Sequence, residues 1–349
     1  MASTFAAARQ ILQRAIADRS FPAAAIEVGN SRQPLWRETF GRLTFDPESS
    51  PTRDDTFFDL ASLTKVLATT ALIMRQVERG TLGLDDPVRR YIPGWRDEGA
   101  VVVTIRDLLA HCGGLAAHVP FFREHTGRVA FEDAIVRTPR AYEPRTTSLY
   151  SDLGFMLLGF MLESIAPLET QFDTMRLQMG GIQDLQFHPP AIWKPRTAPT
   201  RHDPWRDRVL VGEVDDDNAW ALGGAAGHAG LFGAVGSVGE YARHVLQVLD
   251  GRTGVFTRET VETFVARRRD IPGSSRALGW DTMLPTSSCG TRMSPRAFGH
   301  VGFTGTSLWI DPERSVYVVL LTNRVHPSPD NNAIAAVRPA VHDAVIDDL

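Results

Sequence analysis

The chain has 349 residues, 43% hydrophobic and 22% charged, with a formal net charge of −4. That is the composition of an ordinary globular protein with a large core, and it excludes a basic nucleic-acid-binding surface. No run of 18 or more apolar residues occurs, so no membrane-spanning helix is expected, and two cysteines cannot build a disulfide framework.

In chain order, Phe5, Ala8, Ile11, Leu12 and Ile16 recur at helical spacing, which predicts an amphipathic helix over Met1–Ala17. Arg9 and Arg14 interrupt this stretch, so it does not read as a secretory leader. The expectation is a cytoplasmic enzyme, or a periplasmic one should a leader precede it. Ala23–Gly29 and Leu35–Gly41 predict the two strands of a hairpin. Leu63–Arg79 predicts a helix closed by Gly80, and Thr104–Leu115 a shorter one running into a glycine pair. Ser151–Ile165 is an apolar helix. From Asp184 to Asp217 proline, arginine and aspartate dominate without a period, the mark of a long ordered loop beside a site. Ser237–Leu249 is helical. Three strands then follow at Phe298–Phe303, Ser307–Asp311 and Val316–Thr322, and a helix over Asn332–Ile346 closes the chain.

The order implies an α+β fold. Early and late strands join in one antiparallel sheet, the terminal helices cover one face, and the helical middle forms a lobe beside it. The division expected is a discontinuous sheet domain of residues 1–61 and 230–349, with a lobe of residues 62–229 carrying a long site-lining loop. A cleft between the two is the natural place for chemistry.

The strongest local signal is Ser62-Leu63-Thr64-Lys65. A serine hydroxyl is a poor nucleophile until a base takes its proton. With Ser62 opening a helix, Lys65 lies one turn along on the same face, and the helix N-terminus favours a developing oxyanion. Taken alone the pair is equally a helix cap and a surface lysine. Two further elements accompany it: Tyr150-Ser151-Asp152 at the start of an apolar helix, and His300-Val301-Gly302 on a strand, continuing through Phe303.

These three elements, in this order, resemble the S-x-x-K, Y-x-N and K-T-G set of the serine β-lactamases and penicillin-binding proteins, on the class C side where tyrosine takes the middle position. The likeness spans nearly the whole chain. It implies a β-lactamase/transpeptidase-like fold in which Ser62 is acylated and Lys65 takes its proton. Tyr150 passes a proton to the leaving group and later helps activate water. The backbone N–H groups of Ser62 and Phe303 form the oxyanion hole. Neither cofactor nor metal is expected.

Two departures matter. Asp152 stands where β-lactam-processing members carry asparagine, and an ionised carboxylate only accepts hydrogen bonds. It is expected to hold Lys65 or to meet a donor on the substrate. His300 replaces a permanently charged lysine with a group neutral or partly charged at neutral pH. Both argue against efficient penicillin hydrolysis. An H-x-G third element recurs among the family's esterases, peptidases and amidases.

Other candidates read more plainly. Gly223–Gly230 lacks a phosphate-loop lysine, and its small residues let backbone pass close to the sheet or substrate; His228 within it is a candidate substrate contact. Asp215-Asp216-Asp217 has no EF-hand spacing, and a solvated or arginine-paired loop is expected, with Arg196, Arg201, Arg206 and Arg208 pairing to Asp203, Asp207 and Asp215 to Asp217. His111, His118 and His125 do not make a zinc triad, because Gly113, Gly114 and Pro120 break any helix carrying them. Cys112 is a small residue in a turn.

The run from Pro199 through Val214, then Asn218-Ala219 and the glycine-rich stretch, is similar to the branch that includes cell-wall-recycling amidases. A muropeptide, cut as by an N-acetylmuramoyl-L-alanine amidase, is therefore the lead substrate. The alternatives are a small-ester carboxylesterase, a D-Ala peptidase or β-lactamase-like enzyme, and an inactive peptidoglycan-fragment binder.

Overall fold

A computed structural model of the chain describes residues 4–97 and 99–349. The elements in order are α1 (Ala6–Ala17), β1 (Ala23–Gly29), β2 (Pro34–Gly41), β3 (Phe58–Asp59), α2 (Ala71–Glu78), α3 (Ile105–Leu109), α4 (Arg128–Arg137), α5 (Asp152–Glu163) and α6 (Leu168–Gln178). There follow β4 (Leu185–Phe187), β5 (His202–Asp203), β6 (Arg208–Val209), α7 (Asp217–Ala221), β7 (Leu231–Gly233), α8 (Val235–Leu249), α9 (Arg258–Val265), β8 (Asp281–Thr282), β9 (Phe298–Val301), β10 (Ser307–Asp311), β11 (Val316–Thr322) and α10 (Ile334–Asp347).

Chain ends meet in an antiparallel sheet of order β2-β1-β11-β10-β9-β8. Strand β1 pairs with β11 in the register Ala24↔Thr322 and Ile26↔Leu320. Side chains alternate between faces along a strand, and here both faces are covered. Ala24, Ile26, Val28, Val318 and Leu320 pack with α1 and α10, while Ala23, Ala25, Val319 and Leu321 pack with α8 and the helical lobe. Burial on both sides explains why β1 and β11 are mostly apolar; the buried Glu27 of β1 accepts from Tyr317 (2.7 Å) and Arg37 (2.6 Å). Among the described residues no single helix is long and apolar enough to cross a membrane.

Three expectations need correction. The first helix begins at Ala6, with Phe5 in a left-handed conformation before it; Met1 to Ser3 lie outside the described residues. The helix expected over Thr104–Leu115 stops at Leu109. Thr104 and Asp107 cap it reciprocally, and the chain then leaves the helix through left-handed φ values at His111 and Gly114. Third, the segment 184–217 is not without regular structure. It contributes β4 to a second sheet, β3-β7-β4, and the ribbon β5-β6. Two- and three-residue strands are too short for a readable period.

The helix expected over Leu63–Arg79 is one helical run of changing pitch. It starts as a tight turn at Ala61–Leu63, widens into a π-turn over Lys65–Thr70, and becomes regular at Ala71. Such widenings often occur at functional sites.

Candidate active site

Ser62 lies at the start of this run. Ala61 before it has φ +47°, a left-handed conformation that costs a non-glycine residue roughly 1 kcal/mol or more. Buried Asp59 holds this bend: one carboxylate oxygen accepts from Ala61 N–H at 2.8 Å and the other from Asp215 N–H at 2.6 Å. Thr304 and Thr306 clamp it from the sheet side, donating to the carbonyls of Asp59 (2.7 Å) and Leu60 (3.0 Å). A Cβ on Gly302 would sit 2.1 Å from the Thr306 hydroxyl and 2.6 Å from Leu60 O, so this close approach requires glycine.

Lys65 is fully buried. Its ammonium donates to Ser62 Oγ at 2.9 Å and to the carbonyl of His228 at 3.1 Å, and it lies 2.7 Å from Asp152 Oδ1. Burial pulls the Lys65 pKa down, but Asp152, with Tyr150, outweighs it and the net shift is upward. Asp152 in turn is held far below the usual carboxylate range: burial raises it, and Lys65 together with His118, 3.6 Å away, overcomes that. Asp152 therefore takes the first of its two expected roles and pins Lys65 in its charged state.

The Tyr150 ring lies over the Lys65 ammonium, 4.9 Å from centroid to Nζ. Its buried hydroxyl has no aligned partner, and burial raises its pKa against the opposing pull of Lys65 and Ser62. The tyrosine is packed between two histidines, His111 at 4.7 Å and His300 at 5.7 Å between centroids. Their tautomers follow from their partners. His111 Nδ1 accepts from Ser151 N–H at 3.0 Å, so Nε2 carries its proton. His300 Nδ1 donates to Val301 O at 2.8 Å, leaving a lone pair on Nε2. Burial, reinforced by Arg276, holds both pKa values well below normal. His300 is thus neutral, one of the two states the sequence left open for it.

Two cavities meet at Ser62, Tyr150 and Phe303. One, of about 360 Å³, is lined by His300, Gly302, Asp281 and three arginines, Arg276, Arg324 and Arg338. Arg324 donates to the carbonyls of Phe303 and Pro329, and one nitrogen of Arg338 to those of Gly302 (2.8 Å) and Thr306 (2.9 Å), while Arg338 Nε has no acceptor among the described residues. Arg276 stacks over Tyr150 at 5.1 Å and has no carboxylate partner among the described residues. Arg276 thus brings a fixed cation into this cavity from a segment that carried no signal in the sequence. The other cavity, of about 380 Å³, is lined by His118, Asp152, Arg201 and Asp215 to Asp217.

The expected arginine pairing holds at Arg201, which meets Asp217 at 2.8 Å, and at Arg206, which meets Asp203 and Asp217. It fails at Arg196 and Arg208, which pair with Asp55 and Glu213. Asp215 is buried and arginine-paired, with Arg201 at 3.5 Å. His228 does not line either cavity: its ring is buried and its Nε2 meets Asp216 at 2.8 Å, while its carbonyl supports Lys65. The glycine stretch packs on a helix, with Gly227 against Gly159 of α5, approaches Phe187 of β4 at Gly230, and reaches the second cavity at Ala229. Cys112 is buried, and its thiol is pushed up to about 12 by burial and Asp107, so it is no nucleophile. Phe303 is exposed at the mouth, and its N–H has no acceptor among the described residues, as an oxyanion donor requires.

Sequence reasoning passed over Asp59, His111, His118 and Arg276. The first could have been sought as a carboxylate three residues before the serine; the others have no local pattern.

The sequence profile of the β-lactamase family matches residues 8–342. A putative D-alanyl-D-alanine carboxypeptidase of Salmonella gallinarum is 33% identical, over 78% of this chain and 70% of its own. Among solved structures, EstCE1, a hydrolase with promiscuous acyltransferase activity, superposes with a TM-score of 0.79 at 21% identity, covering 98% of each chain. A penicillin-binding-protein homologue from Caulobacter crescentus superposes with a TM-score of 0.78 at 19% identity, covering 99% of this chain and 98% of its own.

Proposed function

The chain belongs to the β-lactamase family and is a serine hydrolase, and from that premise we propose that it cleaves an amide in a cell-wall peptide or muropeptide that bears a free carboxylate. The observation that carries this reading is Arg276, a cation without a carboxylate partner, stacked on Tyr150 in the cavity that holds Ser62 and His300. Guanidinium groups favour carboxylates through paired charge-assisted hydrogen bonds. The relatives named as D-alanyl-D-alanine carboxypeptidases support it.

In the proposed reaction Ser62 Oγ attacks the carbonyl carbon, and the oxyanion falls between the N–H groups of Ser62 and Phe303. The resting site holds Asp152 as carboxylate, Lys65 as ammonium and Tyr150 as phenol. An ammonium and a phenol cannot accept the Ser62 proton, so the Lys65–Tyr150 pair must first shed one proton. It then takes the proton of Ser62 and delivers it through Tyr150 to the leaving nitrogen as the C–N bond breaks. The pair, again short of one proton, takes a proton from a water whose oxygen attacks the acyl carbon, and returns that proton to Ser62 Oγ as its bond to the acyl group breaks.

The test uses an acyl-D-Ala-D-Ala peptide and its C-terminal amide. Arg276→Ala is expected to lower kcat/KM for the free acid by ~10- to 100-fold, the worth of a charge-assisted hydrogen bond of ~1.5–3 kcal/mol, and to leave the amide little changed. Equal losses on both substrates, or none, overturn the reading. Mass spectrometry of a muropeptide carrying both a muramoyl amide and a D-Ala terminus identifies which bond is cut.

A further inference from the structure

Five of the seven tryptophans are at most 9% exposed, as expected of so large an apolar ring, whereas Trp205 and Trp220 are 43% and 39% exposed. These two pack against each other, edge to face, with centroids 5.2 Å apart. Phe122 adjoins Trp205 at 4.6 Å. The result is an exposed aromatic platform, and exposed apolar patches on a soluble domain usually mark something that binds.

The platform shares its supporting residues with the acidic cavity. Trp205 sits in the turn between β5 and β6, its N–H bonded to Asp203 at 2.8 Å. The next residue, Arg206, pairs with Asp203 and Asp217 and donates to the carbonyls of Val214 (2.8 Å) and Asp215 (3.0 Å). Its guanidinium also lies 5.6 Å from the Trp220 centroid. Trp220 stands on α7, one turn beyond Asp216, which caps that helix and faces the cavity. Phe122 follows His118 on the opposite wall and is tied to α7 by Asn218, which accepts from Phe122 N–H at 3.0 Å and donates to Val119 O at 2.9 Å. One buried ion network therefore fixes both the rings and the polar groups facing Ser62.

We propose that this platform is a saccharide subsite, and that it receives the sugar ring of a glycopeptide whose peptide enters the cleft. This inference rests on the muropeptide reading above. A pyranose ring has an apolar C–H face that packs on an indole and a rim of hydroxyls that need hydrogen-bond partners. Trp205, Trp220 and Phe122 supply the first, and Asp216, Asp217 and His118 the second. A second protein copy is a poorer fit. Three half-covered rings of about 150–250 Å² each do not reach the roughly 800 Å² per partner of a stable interface.

The test is calorimetric titration of Ser62→Ala protein, which cannot turn the ligand over. The ligands are an N-acetylmuramoyl dipeptide and the same dipeptide without the sugar. The sugar is expected to tighten binding by about ten-fold. Trp205→Ala and Trp220→Ala in the same background should each abolish most of that advantage while the sugar-free dipeptide binds as before; Trp205→Phe should keep part of it. Unchanged melting temperatures establish that the variants fold. Equal affinity for the two ligands, or an advantage that survives both alanine changes, overturns the proposal. So does a dimer that dissociates on Trp205→Ala, which identifies the face as an interface between copies. Failure of the carboxylate test at Arg276 leaves the sugar titration informative, so the two readings fail separately.

Discussion

Replacing Asp152 with asparagine isolates the electrostatic core of the site. The ammonium of Lys65 lies 2.7 Å from Asp152 Oδ1, with the lysine fully buried. At an effective dielectric of about 20 that contact is worth ~6 kcal/mol of Coulomb energy before desolvation is charged against it. Removing one partner of a buried pair usually costs ~3–5 kcal/mol, because the remaining ion is left without a counter-charge. Lys65 can escape that cost by losing its proton, since burial then acts on it without the opposing carboxylate. The form of the site able to accept the Ser62 proton is the one that has shed a proton from the Lys65–Tyr150 pair. Asp152→Asn is therefore expected to move the acid limb of the kcat/KM–pH profile to lower pH. The assay is hydrolysis of a p-nitrophenyl ester, each profile scaled to its own plateau so that changes in substrate fit drop out. A limb that stays in place or moves to higher pH would refute the argument that Asp152 sets the protonation of Lys65.

Ser62→Ala is expected to abolish turnover and leave the fold intact, since its hydroxyl caps no helix end and is bonded to Lys65; acylation found by mass spectrometry on another residue would overturn the assignment. Lys65→Arg should be nearly as inactive as Lys65→Ala, because arginine keeps the charge but does not give up its proton; near-native rates would make Lys65 an electrostatic support only. Short-chain p-nitrophenyl esters should be hydrolysed far faster than nitrocefin, since Asp152 cannot donate to a β-lactam side-chain carbonyl. With Arg276 already supplying a cation, Asp152→Asn alone should raise nitrocefin turnover relative to the ester, and parity in the wild type would sink this reasoning. Burial raises the Asp59 carboxyl to about 7, aided by repulsion from Asp215. Its proton is held more tightly in the folded chain, so its contribution to stability is complete below about pH 4 and is lost as pH rises to 7, by up to ~4 kcal/mol. Melting curves of the wild type and Asp59→Asn should accordingly converge in that direction, the variant gaining relative stability from pH 4 to 7; a pH-independent difference would show that Asp59 ionises normally.

By itself the sequence determined what depends on near neighbours along the chain. The apolar runs of β1 and β11, the alternation that buries both their faces, and the one-turn spacing of Ser62 and Lys65 are all local. So is the placement of Tyr150 and Asp152 at a helix start, and together these were enough for the fold class and the candidate nucleophile. The charge states were not local. Lys65 is an ammonium because Asp152, 87 residues away in sequence, lies 2.7 Å from it in a site that excludes water. His300 is neutral because burial and Arg276 oppose its protonation. Arg276 gave no pattern to read, and Asp216 was set aside, because a single charged residue in a loop has the same sequence signature whether it faces solvent or a substrate. Only packing distinguishes the two, since it decides which charges lose water and which partners they meet in exchange.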